Sequence, residues 1–536
     1  MNEAVNEANP ILSVRNLTVA LPKGADRPNA VSSASFELRP REILCVVGES
    51  GSGKSVLSAA LMGAIPHGLT IRSGEIRLGD TDLARLSERR LRALRGREIA
   101  MIFQEPMASL NPAMCVAAQI EEVFELHARY GRAERRARAR ALVEAMHLPD
   151  PDRILAAYPH QLSGGQCQRV VIAMALAMNP RVLIADEPTT ALDVTTQAQV
   201  LKLIRELRDD HGHAILFITH DFGVVSDIAD RIAVMKDGVI VEIGEAKQVL
   251  EAPAHPYTQR LIAAVPSLTP RGPAVKDPAA PVEAAEPALV IRDLEHRFGR
   301  VKALDAINLS LAKGRVLSIV GESGSGKSTL AKAAIRLIEP RAGRVEVAGI
   351  DMLSLTPAKL RERRRMIQMI FQDPFGSLNP RRRVGDIITR AAVLAGCGRA
   401  EARARAEELL ELVGLQRSAF HRRPSSFSGG QRQRIGIARA LAMRPDVLIA
   451  DESVSALDVS VQAQVLDLLR DLQAKLKLAI LFITHDLRVA AQISDEIIVM
   501  RKGEIVESGS AREILVHPKH AYTQALIAAA PGRGAI

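Results

Sequence analysis

The 536-residue chain has no tryptophan and only 3% aromatic residues. Proteins that bind single-stranded nucleic acid stack bases on aromatic rings, so this scarcity weighs against that function although a net charge of +10 would suit it. Its four cysteines, Cys45, Cys115, Cys167 and Cys397, stand singly, without the paired or clustered spacing of zinc and iron-sulfur ligands. We therefore expect four buried thiols and no zinc or iron-sulfur site.

Long apolar runs are scarce as well. No uncharged stretch approaches the roughly 18 to 20 residues that span a bilayer, so the chain is not expected to form a channel itself. The opening MNEAVNEANP lacks the basic start and apolar core of a secretory signal, which predicts a cytosolic location. The arginine clusters at 131–141, 361–365 and 381–383 are interpreted as solvated faces.

The sequence contains an internal repeat. The octapeptide GESGSGKS occurs twice, and the strings VLIADE and AILFITH each recur in the same order, at 48–55 and 321–328, 182–187 and 447–452, and 214–220 and 479–485. Between the copies, PSLTPRGPAVKDPAAPVEAAEP has six prolines and no apolar periodicity, as is typical of an extended linker. The predicted organisation is a first domain at 10–265, a linker at 266–287 and a second domain at 288–531.

Short apolar runs stand directly before the recurring motifs. ILCVV and VLSIV precede the glycine-rich loops, VLIA precedes the acidic pairs and ILFIT precedes the histidines. Continuous apolar strands of this kind belong in the middle of a parallel sheet that helices cover on both faces. Segments 133–146 and 400–413, rich in Ala, Arg, Glu and Leu, are predicted helices. The fold class is therefore α/β, with a helical insertion in each half.

The repeated octapeptide is a P-loop, GxxxxGKS, placed between a strand and a helix. In such a loop the backbone N–H groups approach phosphate, the lysine meets the β- and γ-phosphates, and the serine hydroxyl reaches Mg²⁺. Two nucleotide sites are therefore predicted. Their residues are Gly48, Glu49, Ser50, Gly51, Ser52, Gly53, Lys54 and Ser55 in the first half, and Gly321, Glu322, Ser323, Gly324, Ser325, Gly326, Lys327, Ser328 and Thr329 in the second.

Two adjacent carboxylates end a later apolar strand in each half. Asp186 and Asp451 are predicted to hold Mg²⁺ together with the P-loop serines, as phosphoryl transfer requires. The next residues, Glu187 and Glu452, can polarise a water for in-line attack on the γ-phosphate.

A second type of anion site is predicted at LSGGQCQR (162–169) and FSGGQRQR (427–434). Each precedes an apolar helical stretch, so its serine and glycines begin a helix, where backbone N–H groups and the helix dipole attract negative charge. The residues concerned are Ser163, Gly164 and Gly165 in the first half and Ser428, Gly429 and Gly430 in the second.

With these motifs and a histidine after the next strand in the same order in both halves, the chain resembles the tandem ATP-binding cassette (ABC) proteins. The resemblance implies an ATPase of two P-loop NTPase cassettes, each with a RecA-like parallel-sheet core, a helical subdomain and an antiparallel β subdomain. It also implies that each ATP is enclosed between the P-loop of one half and the SGGQ motif of the other, so a complete site needs both copies.

The resemblance assigns further roles. Gln104 and Gln372 match the Q-loop residue that senses Mg²⁺ and water, and His220 and His485 match the switch histidine near the γ-phosphate. Asp193 and Asp458 match the loop that links the two sites. One predicted site thus combines Lys54, Ser55, Gln104, Asp186, Glu187 and His220 with Ser428, Gly429 and Gly430, and the other combines Lys327, Ser328, Gln372, Asp451, Glu452 and His485 with Ser163, Gly164 and Gly165.

The chain also departs from the family pattern. Leu21 stands where an aromatic residue usually stacks on adenine, whereas Phe298 can serve in the second half. Loss of stacking should weaken adenine binding by an amount on the order of 1 kcal/mol. Ser453 replaces the proline that follows Glu187 in the first copy, and Phe427 replaces the leucine before SGGQ. None of these changes removes a catalytic group, so both sites are expected to hydrolyse ATP.

Two further features resemble the ATPases of peptide and nickel importers. FQEPMASLNP and FQDPFGSLNP contain the Q-loop glutamines, and HPYTQRLIAA (255–264) and HAYTQALIAA (520–529) close the two halves. The resemblance is strongest to fused forms that serve dipeptide, oligopeptide, glutathione and microcin C uptake. Some relatives hold an iron-sulfur cluster in this tail through clustered cysteines, which this tail lacks.

This resemblance implies two integral membrane permease subunits, a solute-binding protein, and a peripheral location on the cytoplasmic face of the bacterial inner membrane, with no nucleic acid partner. Peptide is favoured over nickel or glutathione by resemblance alone. A soluble tandem cassette that acts on ribosomes or DNA fits the basic charge, but the short proline-rich linker and the lack of zinc spacing disfavour it. A degenerate pair that binds ATP only structurally is disfavoured by the intact acids and histidines.

Overall fold

The computed structural model describes residues 9–190, 192–271, 286–373, 376–455 and 457–532. These residues form two compact units: one contains the described residues up to Leu192 together with Thr196–Val265, and the other contains Pro266–Ala530. Most of the predicted linker, 272–285, lies outside the described residues, so the predicted domain boundaries stay predictions. No helix in the described part of the chain is both long and apolar enough to cross a membrane.

The first unit is built from strands β1–β10 and helices α1–α11. The strands are β1 (Leu12–Ala20), β2 (Asn29–Leu38), β3 (Ile43–Val47), β4 (Thr70–Leu78), β5 (Thr81–Asp82), β6 (Ile99–Ile102), β7 (Val182–Asp186), β8 (Ala214–Thr219), β9 (Arg231–Lys236) and β10 (Val239–Glu245). The helices are α1 (Lys54–Leu61), α2 (Glu88–Leu94), α3 (Pro106–Ser109), α4 (Val116–His127), α5 (Arg132–Ala145), α6 (Pro151–Ala156), α7 (Gly164–Leu176), α8 (Val194–Asp209), α9 (Phe222–Ile228), α10 (Ala246–Glu251) and α11 (Pro256–Ala263), with 3-10 turns at Leu83–Arg85 and Pro159–Gln161.

The second unit repeats the plan. Its strands are β11 (Pro287–Phe298), β12 (Val301–Ala312), β13 (Val316–Val320), β14 (Ala342–Val347), β15 (Ile350–Asp351), β16 (Ile367–Ile370), β17 (Val447–Asp451), β18 (Ala479–Ile483), β19 (Glu496–Arg501) and β20 (Glu504–Ser510). Its helices are α12 (Lys327–Ala334), α13 (Pro357–Arg363), α14 (Val384–Leu394), α15 (Arg399–Leu412), α16 (Gly429–Ala442), α17 (Val459–Leu476), α18 (Leu487–Ile493), α19 (Ala511–Val516) and α20 (Ala521–Ala529), with 3-10 turns at Arg364–Met366, Arg417–His421 and Pro424–Ser426.

Each unit contains a six-stranded and a four-stranded sheet. The six-stranded sheets have the orders β10-β9-β3-β8-β7-β6 and β16-β17-β18-β13-β19-β20 and are parallel except for an antiparallel edge strand, β10 or β20. The four-stranded sheets, β2-β1-β4-β5 and β12-β11-β14-β15, are antiparallel. The predicted α/β fold with a parallel core, a helical part and an antiparallel part is confirmed.

The central parallel strands explain how distant motifs meet. Every residue of β3, β7 and β8 is buried, as the apolar runs predict. Since these strands are parallel neighbours, their carboxyl ends lie at one edge of the sheet. The P-loop leaves the end of β3, the acidic pair follows from the end of β7, and His220 follows the end of β8. Ligands of open parallel sheets bind at this edge.

The arginine-rich segments are only partly solvated faces. In α5 the arginines are largely exposed and form pairs one turn apart with Glu134 and Glu144, while Ala139 and Val143 face the core. The arginines at 381–383 are also exposed. The prediction is wrong for Arg364, which is half-buried and donates to the Arg336 carbonyl at 2.6 Å because its turn packs against the end of α12.

The cysteine prediction holds for two of four thiols. Cys45 lies in the middle of β3 and Cys167 lies inside α7, and burial raises the pKa of both thiols. Cys115 and Cys397 are only partly buried, because one caps the start of α4 and the other follows the end of α14.

The packing of α14 generates a stability prediction. A Cβ atom on Gly385 would lie 2.4 Å from the ring of Phe420. We expect Gly385→Ala to lower the free energy of unfolding of the second unit by about 1–3 kcal/mol, the usual cost of overpacking, measured by urea denaturation of the full chain. The control is Gly436→Ala in α16, where no atom of the described part of the chain lies within 4 Å of the added atom, so stability should stay equal or rise. Equal losses in both variants would contradict this packing.

Candidate nucleotide sites

The P-loop lysines are buried and held by backbone carbonyl groups. Lys54 Nζ donates to the carbonyl oxygens of Gly48 at 2.7 Å and Glu49 at 3.0 Å. Lys327 Nζ makes the matching bonds to Gly321 and Glu322, both at 2.7 Å, and burial lowers the pKa of its amine. Each ammonium group therefore lies inside its own loop, where a phosphate would meet it.

Each P-loop continues into a helix that begins on glycine. Gly53 has φ 105° and Gly326 has φ 107°, a left-handed conformation that favours glycine. A Cβ atom on Gly53 would also lie 2.3 Å from the Ala30 carbonyl oxygen, so a larger residue has no room. Neither helix has a side-chain cap. Backbone N–H groups at the start of a helix favour an anion as their ligand.

The aspartate at the end of β7 accepts two serine hydroxyl groups. Ser55 Oγ lies 3.5 Å from one Asp186 carboxylate oxygen, and Ser58 Oγ donates to the other at 2.9 Å. In the second unit Ser328 Oγ donates to Asp451 at 3.0 Å. Burial raises the pKa of both aspartates, and the serine bonds offset part of the shift. A hydroxyl and a carboxylate so close together form the hard oxygen donor set that Mg²⁺ prefers.

Three donors surround the glutamate that follows Asp186. Gln104 Nε2 and Thr190 Oγ1 each donate to Glu187 Oε2 at 2.9 Å, and His220 Nδ1 lies 3.2 Å from Oε1. Burial alone would raise the pKa of this carboxyl. The hydrogen bond and charge of His220, followed by the Thr190 bond, outweigh burial and lower the pKa below its ordinary value. Glu187 is therefore ionised at neutral pH.

The second unit brings together the same predicted residues. Gln372 Nε2 donates to Glu452 Oε2 at 2.7 Å, and His485 Nδ1 lies 3.5 Å from Oε1. The pKa of Glu452 is again lowered, because the bond and charge of His485 exceed the effect of burial. Ser455, the counterpart of Thr190, donates instead to the Glu452 backbone carbonyl at 2.9 Å.

Both glutamates have an unusual backbone. Glu187 has φ 47° and Glu452 has φ 45°, a region that non-glycine residues seldom adopt and that often marks functional sites. Each is held there because its N–H donates at 2.9 Å to the next strand, to Ile218 or Ile483. The turn directs the glutamate side chain toward the glutamine and histidine instead of continuing the strand.

The SGGQ motifs begin helices α7 and α16, as predicted. Ser163 accepts from Gln166 N at 3.3 Å, and Ser428 accepts from Gln431 N at 3.4 Å, each as part of a capping box. The second glycine is needed for close packing: a Cβ atom on Gly165 would lie 2.2 Å from Thr196. No atom of the described residues would lie within 4 Å of a Cβ atom added to Gly164.

The remaining predicted residues stand at the ends of strands and helices. Phe298 ends β11 with 55% of its surface exposed, and Leu21 follows the last residue of β1. Asp193 accepts a hydrogen bond from Thr195 at 2.7 Å, and Asp458 stands at the start of α17. The pairing of each P-loop with the SGGQ motif of the other half joins groups on different units and stays a prediction.

Sequence reasoning missed several supporting side chains. Ser58 follows Ser55 by three residues and so shares its helix face, a spacing that could have revealed its bond to Asp186. Thr190 could not be distinguished from other turn residues. The tail tyrosines, Tyr257 and Tyr522, contact the second residue of the P-loops, Glu49 and Glu322, which no local pattern indicates.

A parallel sheet with a P-loop, an aspartate, an ionised glutamate and a histidine at one edge defines a P-loop ATPase. The sequence profile of the ABC transporter family matches residues 31–190 and 304–455. A second profile, described as the C-terminal region of oligopeptide/dipeptide transporters, matches 241–288 and 506–535. The chain belongs to the ABC transporter family, with two ATP-binding cassettes in tandem.

Relatives match along nearly the whole chain. The peptidoglycan transport ATP-binding protein YejF of Agrobacterium fabrum is 47% identical over 534 residues, which cover 97% of this chain and 96% of the relative. The glutathione import ATP-binding protein GsiA of Salmonella typhimurium is 46% identical over 561 residues, covering 98% and 90%. Among solved structures, a dimer of the ATP-binding cassette MJ0796 with ADP and phosphate matches 44% of this chain and 98% of its own, with 28% identity and a TM-score of 0.40.

The pairing of His485 with Glu452 predicts a pH dependence. The bond and charge of Glu452 outweigh burial and raise the pKa of His485 above its ordinary 6.5. The charged pair therefore stabilises the fold fully below pH 6.5, and this contribution is lost as pH rises through the higher folded pKa. In Glu452→Gln the histidine pKa should fall, because burial remains and the carboxylate charge is gone.

NMR titration of histidine-labelled protein without nucleotide or divalent cation measures this pKa, and a His485→Gln spectrum assigns the signal. Glu504→Gln, at an exposed position of β20, is the control and should leave the pKa unchanged. A His485 pKa that is the same with and without the Glu452 carboxylate would contradict the pairing.

Proposed function

We propose that this chain is the ATP-hydrolysing subunit of an importer for peptides or peptide-like solutes, and that it acts with separate permease subunits at the cytoplasmic face of the inner membrane. The observation that carries the ATPase part is the ionised glutamate beside each P-loop. Glu187 and Glu452 each meet a glutamine and a histidine within 3.5 Å, at the same sheet edge as Lys54 and Lys327.

In the proposed reaction the P-loop binds the ATP phosphates. The N–H groups at the start of α1 meet phosphate oxygens, and Lys54 turns from its two carbonyl partners toward the β- and γ-phosphates. The second unit uses α12 and Lys327 in the same way. The loop is preorganised for this exchange because Gly53 and Gly326 already have the left-handed backbone conformation with which α1 and α12 begin.

The glutamates activate the attacking water in this proposal. A carboxylate offers about four lone-pair positions, of which Gln104, Thr190 and His220 occupy three in Glu187. One position is left to accept a hydrogen bond and then a proton from the attacking water. Gln104 and Thr190 both donate to Oε2, so the remaining position is on Oε1, beside His220.

Mg²⁺ fits the oxygen donors near each lysine. Ser55, Asp186 and Gln104 would hold it in the first unit, and Ser328, Asp451 and Gln372 in the second. When bound, the ion neutralises charge on the transferring phosphates. We further propose that each site is completed by the other half: Ser428, Gly429 and Gly430 face the first P-loop, and Ser163, Gly164 and Gly165 face the second. No iron-sulfur cluster is proposed.

The import part of the proposal is supported by the tail and by the relatives. Both tails match the C-terminal region of oligopeptide/dipeptide transporters, and the relatives named above serve peptidoglycan transport and glutathione import. Peptides and glutathione share amide bonds, so a peptide-like solute is the common chemistry. A solute-binding protein would deliver it to the permeases. A role on ribosomes or DNA receives no support from these relatives.

Removal of the proposed bases tests the ATPase. We expect Glu187→Gln, Glu452→Gln and above all the double variant to lose ATP turnover, by ~10² to 10⁴-fold in the double variant, because the amide cannot take the proton of water. Binding of ATP should persist and trap a closed, loaded state. Turnover is measured as phosphate release by the purified chain, with exposed Glu251→Gln as the control. Unchanged turnover in both single variants and in the double would contradict the assignment.

Purification from membranes of the native host tests the transporter partners. Exposed apolar side chains lie beside the Q-loop glutamines, Phe103 at 51% and Phe371 at 38% exposure, and we propose that they contact the permeases. Affinity purification of the tagged chain in detergent, followed by mass spectrometry, should recover two polytopic membrane proteins. The double variant Phe103→Ala/Phe371→Ala should recover several-fold less, whereas Val239→Ala, also exposed, should not. Recovery of ribosomal or DNA-repair proteins instead would contradict import.

A further inference from the structure

We propose that the tail tyrosines, Tyr257 and Tyr522, are positioning residues of the two nucleotide sites, whose hydroxyl groups fix the second residue of each P-loop and thereby set the affinity for Mg-ATP. The proposal rests on the proposed ATPase function. It assigns to the C-terminal region of each half a role inside the nucleotide site, whereas the sequence analysis drew from the two tails only a resemblance to importer ATPases.

The contact is made by a single hydroxyl group. Tyr257 Oη accepts from the backbone N–H of Glu49 at 3.3 Å and lies 3.2 Å from Glu49 Oε2, to which it donates. One phenol thus holds both the backbone and the side chain of the same P-loop residue. In the second unit Tyr522 Oη accepts from the N–H of Glu322 at 3.2 Å. Burial raises the pKa of Tyr522 to about 12, so this hydroxyl keeps its proton at neutral pH.

The two copies form this contact independently. Tyr257 lies 208 residues from Glu49, and Tyr522 lies 200 residues from Glu322. The number of residues between the two partners thus differs between the halves, and a fortuitous contact would not be expected in both. Because the contact recurs, we infer that the fold of each unit brings its tail against its P-loop.

Each tyrosine is itself held rigidly by the tail motif. In the first unit Glu242 accepts from the N–H groups of Ala254 at 2.7 Å and His255 at 3.1 Å, and His255 Nδ1 caps α11 by accepting from Tyr257 N at 3.1 Å. Lys236 lies 5.3 Å from the centre of the tyrosine ring, within the range of cation–π attraction. The motif therefore fixes where the hydroxyl group lies.

The second unit has the same frame. Glu507 accepts from Lys519 N at 2.7 Å and His520 N at 3.2 Å, and His520 Nδ1 accepts from Tyr522 N at 3.1 Å. Arg501 lies 4.8 Å from the ring centre. A glutamate, a histidine, a tyrosine and a cation thus recur with the same contacts.

The held P-loop residue also binds the lysine that meets phosphate. The Glu49 carbonyl accepts from Lys54 Nζ at 3.0 Å, and the Glu322 carbonyl accepts from Lys327 Nζ at 2.7 Å. The tyrosine hydroxyl accepts from the N–H of this residue, and the lysine donates to its carbonyl oxygen. The two side chains thus hold the two peptide groups that flank one residue. Without the hydroxyl group these peptide groups can rotate, and ATP must then order the loop as it binds, which reduces affinity.

Tyr257→Phe, Tyr522→Phe and the double variant test the proposal, because phenylalanine keeps the ring and removes only the hydroxyl group. Binding of Mg-AMPPNP to the purified full chain is measured by calorimetry. We expect each single variant to lose roughly 3- to 10-fold in affinity at one site, as for one lost hydrogen bond, and the double variant to lose it at both. At saturating Mg-ATP the kcat should stay within about twofold while KM rises.

The control is Tyr130→Phe, in which the same atom is removed from a tyrosine that packs against Phe124 and Arg138. All variants should melt within a few degrees of the wild type, and hydrogen exchange of the P-loop peptides should rise only in the tail variants. Unchanged affinity and unchanged exchange in the double variant would overturn the proposal and leave the tyrosines as packing residues. Failure of the wild-type chain to bind Mg-AMPPNP would overturn the ATPase function itself, and with it this inference.

Discussion

In each half of the chain a fully buried strand ends at an aspartate that a glutamate follows directly. The other polar groups of the site are arranged around these two adjacent carboxylates. Burial raises the pKa of Asp186, but the neighbouring Glu187 has a lowered pKa because His220 and Thr190 hold its charge. Neighbouring acids whose environments separate their pKa values take different tasks. The aspartate is the carboxylate that gains from a cation, and the glutamate is the one already stabilised as an anion that can accept a proton.

The two copies keep this core and differ in its supports. Ser58 gives Asp186 a second hydroxyl donor, whereas Ala331 occupies the matching position in α12. Thr190 donates to the Glu187 carboxylate, whereas Ser455 donates to the Glu452 backbone. These differences leave every predicted catalytic group in place. A difference in turnover between the two sites would therefore originate in how tightly the acids are held, and not in a missing group.

The sequence predicts what depends on local pattern. Apolar strands that end on a P-loop, an acidic pair or a histidine converge because parallel neighbours share one edge. The sequence itself grouped His220 with Lys54 and Asp186 only through the resemblance to tandem ABC proteins. Ser58 was within reach of the same reasoning, through helix periodicity. Tyr257 was not, because its partner Glu49 is 208 residues away and no spacing rule connects them. The half-buried Arg364 was misjudged because charge density says nothing about which turn packs against a helix end.

Sheet order explains why the tail reaches the nucleotide site. The glutamate that orders the tail, Glu242, lies on β10, which pairs with β9, and β9 pairs with β3, whose end carries the P-loop. A segment anchored on β10 is therefore only two strands from the loop, and Tyr257, the second residue of α11, contacts Glu49 from there. The same order, β20-β19-β13, serves Tyr522. A displacement of the tail cannot leave the P-loop unaffected while these bonds hold, because the residue that the tyrosine holds is also the residue that holds the lysine.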